Sequence, residues 1–276
     1  TANSTGNTIN YNVNSNFAGS TIRVDGRSLL TGNHDTTANA VINNLPIDRV
    51  LLVAGKRDLP VSGTLSATGQ VSGTLQDPRV VANFAVVKGS AYNEPFDRLQ
   101  ANVGYTNTAI DLPNFRLDAG PSYITATGAF THPANDMENG QVRFRIQSNQ
   151  LQLARFHTIQ EAKPGLGGVV QLAADGAATL RKGAAPLFSS LNANIAARGL
   201  SVESKPLGDL TATAKTSGQE LVFDLTSHLA QSNIRGSGRM QLAGDYPLNA
   251  QMTFANLTYT GLRPLIGGDR QPFDAS

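Results

Sequence analysis

Apolar and polar residues alternate one by one along most of this chain. That period of two suits an extended strand with one covered face and one wet face. Leu99, Ala101, Val103 and Tyr105 fall on one side, and Gln100, Asn102 and Gly104 on the other. The same rule sets Val142, Phe144 and Ile146 against Arg143 and Arg145. It sets Leu248, Ala250, Met252 and Phe254 against Asn249, Gln251 and Thr253. Leu221, Phe223 and Leu225 interleave with Val222, Asp224 and Thr226, and Ile9, Tyr11 and Val13 with Asn10 and Asn12. Apolar stripes at helical spacing are nearly absent, so short helical turns are expected only near 46–54, 153–161 and 261–266. Charged residues make up only 15% of the chain and aromatic residues 6%, while Gly is abundant, a mix that favours short strands and turns over long helices. The expected fold class is all-β, with an antiparallel-rich sheet.

The alternation is itself repeated. Ile22-x-x-x-Gly26, Ile124-x-x-x-Gly128 and Ile234-x-x-x-Gly238 recur 102 and then 110 residues apart. Each leads through another alternating segment to Leu45-Pro-Ile47, Leu151-Gln-Leu153 or Leu257-Thr-Tyr259. Further on, Thr74-Leu75 matches Thr179-Leu180, Lys88-Gly89 matches Arg198-Gly199, and Pro95-Phe96 matches Pro206-Leu207. Anchors in a fixed order define a unit of about 105 residues. The expected organisation is one elongated β-repeat body over 1–276, with a partial unit 1–60 and units 61–165 and 166–276. Asn-Gly hairpin signals are scarce, so looser Gly, Pro and Asp loops such as Gln76-Asp77-Pro78 are expected between strands. Glycines alternating along Gly63–Gly73 leave little side-chain bulk there, which favours curvature or close backbone approach.

Few chemistries remain open to such a chain. With no cysteine there is no disulfide, thiolate metal site or thiol nucleophile. The four histidines, His34, His132, His157 and His228, are far apart in sequence and match no metal-ligand spacing. Gly236-Ser-Gly238 sits inside an alternating segment and not at a strand-to-helix elbow. Gly165-Leu-Gly-Gly168 lacks the Lys-Ser/Thr ending of a phosphate loop and reads as a turn. Asp35, Asp77, Asp136 and Asp245 fall in turn-like segments, where Asp bonds its own backbone. The +2 net charge is scattered, unlike the basic stripe of a nucleic-acid binder. No enzyme activity, metal or cofactor is expected, and no nucleic-acid partner. The chain opens on Thr1 without a signal peptide or a membrane-length apolar run, and reads as a piece of a longer protein.

The glycine run ending in Gly73-Thr-Leu-Gln-Asp-Pro78 resembles the repeats of the TamB family, within the wider AsmA-like group. Phe84-Ala-Val-Val-Lys-Gly89, Pro95-Phe96-Asp-Arg-Leu99, Ile110-Asp-Leu112, Phe115-Arg-Leu117 and Ile124-Thr-Ala-Thr-Gly128 continue the likeness, which covers most of 61–260. The second unit departs from it, with Arg181-Lys-Gly183 where the Asp-Pro turn would stand. The resemblance implies a curled, trough-like β-sheet in the periplasm of a diderm bacterium, with its inner-membrane anchor outside this segment. It implies an apolar groove that carries phospholipid between the two membranes, and a link to outer-membrane assembly and secretion. The partners implied are phospholipid acyl chains, adjoining repeats of the same chain and an outer-membrane β-barrel.

Taken singly, each apolar stripe reads as core. The repeat and the resemblance together turn the stripes into a candidate lipid-facing lining: Leu99, Val103, Tyr105, Ile110, Leu112, Val142, Phe144, Ile146, Leu221, Phe223, Leu225, Met252 and Phe254. Two other readings stand beside it. One is a structural or adhesive β-stalk that fills its own core. The other is an assembly factor that pairs open strand edges with client chains.

Overall fold

In the computed structural model of the protein, which describes residues 1–56, 58–74, 76–242 and 246–256, 70% of the chain is strand and 8% is helix. The fold is all-β, open and antiparallel. Two compact units are present: residues 1–147 with 176–188, and 148–175 with the chain from 189 onward. The boundaries between them do not coincide with the repeat boundaries at 60/61 and 165/166.

The first unit is a meander in which each strand pairs with the next. Its strands are β1 (Ala2–Thr5), β2 (Thr8–Phe17), β3 (Ser20–Leu29), β4 (Thr36–Pro46), β5 (Val61–Gly73), β6 (Pro78–Ala91), β7 (Glu94–Thr106), β8 (Ala109–Ala119), β9 (Ser122–Thr131) and β10 (Gly140–Ser148). The second contains β11 (Leu151–Gln152), β14 (Lys205–Ser217), β15 (Glu220–Ser227), β16 (Asn233–Gln241) and β17 (Leu248–Ala255). Strands β12 (Leu166–Leu180) and β13 (Leu187–Val202) contribute residues to both. Six strands, β5 to β10, precede the short helix α2 (His157–Ala162), and six more, β12 to β17, follow it.

Helical turns form at two of the three expected places. Leu45-Pro-Ile47 leads into α1 (Ile47–Val53), and Leu151-Gln-Leu153 into a 3-10 turn and α2 (His157–Ala162). Gly55, at φ 71°, ends α1 in a paired cap: its N–H bonds Leu52 O, and Lys56 N–H bonds Leu51 O. Gln160 anchors α2 by donating to Leu153 O and Leu166 O while its carbonyl accepts from Gly165 N. The third expected turn, the Leu257-Thr-Tyr259 anchor, Leu75 and Asp245 lie outside the described residues.

The links between strands differ from expectation. Two-residue hairpins join β2 to β3, β6 to β7 and β13 to β14, through Ala18-Gly19, Tyr92-Asn93 and Glu203-Ser204. All six of these residues have positive φ, the geometry that matches strand twist. Tyr and Glu are poor left-handed residues, which is why the sequence hides these turns. The Gly165–Gly168 segment is likewise no simple turn, because Gly167 and Gly168 already belong to β12. Gly63, at φ 135°, sits at a bulge, so the glycine run does not alternate cleanly from its start.

Candidate functional site

The registers align the apolar residues of successive strands into rows. In the first unit Tyr11, Gly26, Ala38, Val71, Val80, Tyr105, Ile110 and Phe130 stand side by side across eight strands. Next to them run Val13, Val24, Ala40, Gly69, Ala82 and Val103, then Ile22, Ile42, Ala67, Phe84, Ala101, Phe115 and Ala126. A fourth row holds Leu45, Leu65, Val86, Leu99, Leu117 and Ile124. Directly opposed residues point to the same side of a sheet, so these rows form one apolar face without an Asp, Glu, Lys or Arg.

Two bulges keep that face in phase. Ile42 and Leu45 are three residues apart and would face opposite ways in a regular strand. At the shift between them Asn44 takes φ 56°, its N–H bonds Ser66 Oγ, and Leu45 comes back opposite Leu65. Leu112 and Phe115 are kept in phase the same way, with Pro113 and Asn114 at the shift. Proline is tolerated there because a bulge interrupts the ladder.

Two of the three repeated glycines have a steric reason that Gly128, opposed to Leu112 and with nothing nearer to its Cβ position than Arg143 O at 3.4 Å, does not share. A Cβ on Gly26 would lie 2.5 Å from the Tyr11 hydroxyl, and one on Gly238 would lie 2.3 Å from Phe223 Cζ. At Gly26 and Gly238 the ring of the opposed residue lies across the glycine. Gly140 meets the Phe130 ring in the same manner. By alternation this puts Val142, Phe144 and Ile146 on the Phe130 side. All eight lining residues named from the first unit therefore share one face.

The five named from the second unit share a face too. Ala193, Ala214, Phe223, Gly238 and Ala250 form one row, and Ile195, Ala212, Leu225, Gly236 and Met252 the next. Leu221, Met240 and Leu248 flank them on one side, and Leu210, Ile234 and Phe254 on the other. A hollow of about 260 Å³ lies over the two central rows. Leu248, Met252 and Phe254 are each more than half exposed beside it.

The opposite face is wet. In the first unit Asn114 donates to Asn102 Oδ1 at 3.1 Å, and Asn102 donates in turn to Asn83, a carboxamide ladder across three strands. A shallow depression of about 250 Å³ overlies it. Arg116 grips Asp118 there at 2.7 Å and lies 4.2 Å above the Tyr123 ring. The hydrogen bond to Asp118 raises the Arg116 pKa. In the β9–β10 loop, Asp136 accepts bonds from the Asn139 side chain and from Glu138 and Asn139 N–H, which holds its carboxyl below the usual range. Among the described residues no His, Asp and Glu gather in a group able to hold a metal, and no helix is long and apolar enough to cross a membrane.

His34, His157 and His228 are exposed. His132 is not: it is 7% exposed, stacks on Phe130 at 5.2 Å and has Nδ1 2.9 Å from Pro133 O. Sequence reasoning also missed a set of serines. Ser20, Ser122 and Ser232 are buried two residues before the repeated isoleucines, at the same spacings of 102 and 110. Ser20 Oγ donates to Phe17 O across its hairpin, and Ser232 Oγ to Leu229 O. The extended pattern Ser-x-Ile-x-x-x-Gly would have revealed them. No family model, curated protein or solved structure matches this chain.

Proposed function

We propose that this chain is a segment of a bridge-like conduit whose apolar face carries phospholipid acyl chains between the two membranes of a diderm bacterium, in the manner of TamB and AsmA-like proteins. Its place would be the periplasm. The observation that supports this best is the pair of bulges that hold the apolar face in phase across strands. A phase error would only need one or two misplaced side chains to break a continuous lining. Each acyl CH₂ taken from water onto such a face contributes roughly 0.8 kcal/mol, so even part of a chain is held.

A second reading, a β-stalk that fills its own core, has an observation of its own. Leu45, Val86 and Ala101 are 7%, 7% and 3% exposed, covered by the protein's own atoms. A photo-reactive residue separates the two. Placed at 144, on the apolar side of β10, it should capture lipid in cells; placed at 143, on the wet side, it should not. With the photo-reactive residue moved to 142, on the same side of β10, Phe144→Glu should block lipid capture while the sheet still forms, since an unpaired carboxylate on this face costs several kcal/mol. Equal labelling at 143 and 144, or none at either, would favour the stalk.

A further inference from the structure

Asparagine is a poor strand residue, yet three of them stand directly opposite one another on the wet face of the first unit. Asn83 of β6 opposes Asn102 of β7, and Asn102 opposes Asn114 of β8. Thr or Val would suit these places better. Local preferences are broken in this way where a protein has a use for the side chain itself. The three carboxamides are already set. Asn114 Nδ2 donates to Asn102 Oδ1 at 3.1 Å and Asn102 Nδ2 to Asn83 Oδ1, so the amides point the same way along the ladder. The Asn83 N–H donors and the Asn114 oxygen stay outside it.

The depression of about 250 Å³ above the ladder is uncharged: among the described residues its lining holds no Asp, Glu, Lys or Arg. Asn43, Ser66, Thr68 and Gln100 complete its polar rim, and Ala85, between Ser66 and Gln100, keeps its floor low. Arg116, opposed to Gln100, is held by Asp118 at 2.7 Å. The wet face of the second unit has a depression of about 440 Å³, but Arg239 enters it and pairs with Glu220 at 3.7 Å, which makes it ionic.

We propose that the uncharged depression binds a neutral, extended glycan: a β-1,4-linked chain of N-acetylhexosamines laid across β6, β7 and β8. This concerns the face opposite the apolar rows and does not rest on the acyl-chain reading. A carboxamide offers an N–H and a carbonyl oxygen in one plane, which matches an acetamido group or a pair of hydroxyls. Neighbouring strands are about 4.8 Å apart, close to the advance of one sugar in an extended β-1,4 chain, so successive asparagines meet successive sugars. The bonds between the amides fix their orientation beforehand, so binding costs little side-chain freedom. A sulfated or uronic-acid polymer finds no cation in the lining to pair with.

The test uses the whole 276-residue chain and three uncharged hexasaccharides: chitohexaose, cellohexaose and maltohexaose. Cellohexaose keeps the β-1,4 geometry without acetamido groups, and maltohexaose is α-linked and coils. Each is titrated by calorimetry, while NMR follows the side-chain amide signals of Asn83, Asn102 and Asn114, which should shift with chitohexaose. The expected dissociation constant for chitohexaose is about 1 mM or below, with cellohexaose weaker by about fivefold and maltohexaose by about tenfold or more. Asn102→Thr and Asn83→Thr, each introducing a better strand residue, should keep or raise the melting temperature and weaken chitohexaose by about tenfold. Gln70→Thr, on the same face outside the depression, should leave binding unchanged. Maltohexaose or cellohexaose binding as tightly as chitohexaose, or normal chitohexaose binding by both Thr variants, would each overturn the proposal. So would no binding by any of the three; a lower melting temperature in both Thr variants would then assign the ladder to holding the sheet together.

Discussion

Both units build an apolar face by the same cross-strand rows, but they fill it differently. In the first, rings and branched side chains crowd the rows: Phe84, Phe115 and Phe130 stand among them, and Ala101 is 3% exposed. In the second, alanine and glycine take six of the ten places in the two central rows, between Ile195, Phe223, Leu225 and Met252, and Met252 and Phe254 on the last strand are 55% and 53% exposed. Alternation sets which side is apolar, while residue volume along a row sets whether that side is closed or hollow. The first property is local to a strand. The second belongs to neighbours that are far apart in sequence.

The sharpest way to break this contrast is to add volume to each face. Ala101→Leu should destabilise the first unit by about 1–3 kcal/mol, because a filled site has no room for three more carbons. Ala250→Leu should change stability by less than about 0.5 kcal/mol, since its side chain enters open space. Denaturant unfolding followed by a probe in each unit would measure both, and equal costs would end the distinction between filled and hollow faces.

Within the first unit, glycines offer a smaller and finer comparison. A Cβ on Gly26 meets the Tyr11 hydroxyl at 2.5 Å and the Thr37 carbonyl oxygen at 2.6 Å, and the latter is backbone that cannot swing away. A Cβ on Gly69 meets nothing nearer than Val81 O at 3.8 Å. Gly26→Ala should therefore cost about 1–3 kcal/mol and Gly69→Ala less than about 0.5 kcal/mol, read as a shift in the denaturation midpoint. A matching loss at both positions would mean that ring-over-glycine packing is not what the repeat preserves.

The smallest effect is expected at the β9–β10 loop. The donors around Asp136 lower its pKa in the folded state, so its contribution to stability is present above the unfolded carboxylate value near 4 and is lost as pH falls through the lower folded value. Protection of the Glu138 and Asn139 amides, which both donate to Asp136, should fall in acid over that range when measured against the intrinsic exchange rate at each pH. Asp136→Asn should remove the pH dependence of protection, and protection that stays constant with pH in the native protein would show that the carboxylate does not order the loop.

Much of this was legible in the sequence, for a physical reason. Side-chain direction along a strand follows from spacing alone, so Val103 with Tyr105 and Leu221 with Phe223 and Leu225 could be assigned to a face without knowing their neighbours. The Ile-x-x-x-Gly repeat was legible as recurrence, though not as a ring lying over a glycine, because Tyr11 and Gly26 meet only through the register. Ile110-Asp-Leu112 and Phe115-Arg-Leu117 lie on either side of Pro113, and only the register shows that a bulge joins them in one strand. The hairpins at Tyr92-Asn93 and Glu203-Ser204 went unseen because tertiary pairing, and not residue preference, holds their backbone left-handed. The hollow could not be read at all, as it depends on five strands coming into register.

The bulges at Asn44 and at Pro113–Asn114 also bear on which changes of length such a gene can absorb. Loss of one codon inside most of these strands would turn every following side chain of that strand to the wrong side, bringing Asn and Arg into the apolar rows. Loss of Asn44 is different. It would leave Ile42 and Leu45 with one residue between them, on the same side as before, in a strand that has merely become regular. The same holds for loss of a single residue between Leu112 and Phe115. In β4 and β8, single-codon deletions should survive at these irregular positions and fail at the regular ones, the reverse of what an intact ladder would suggest.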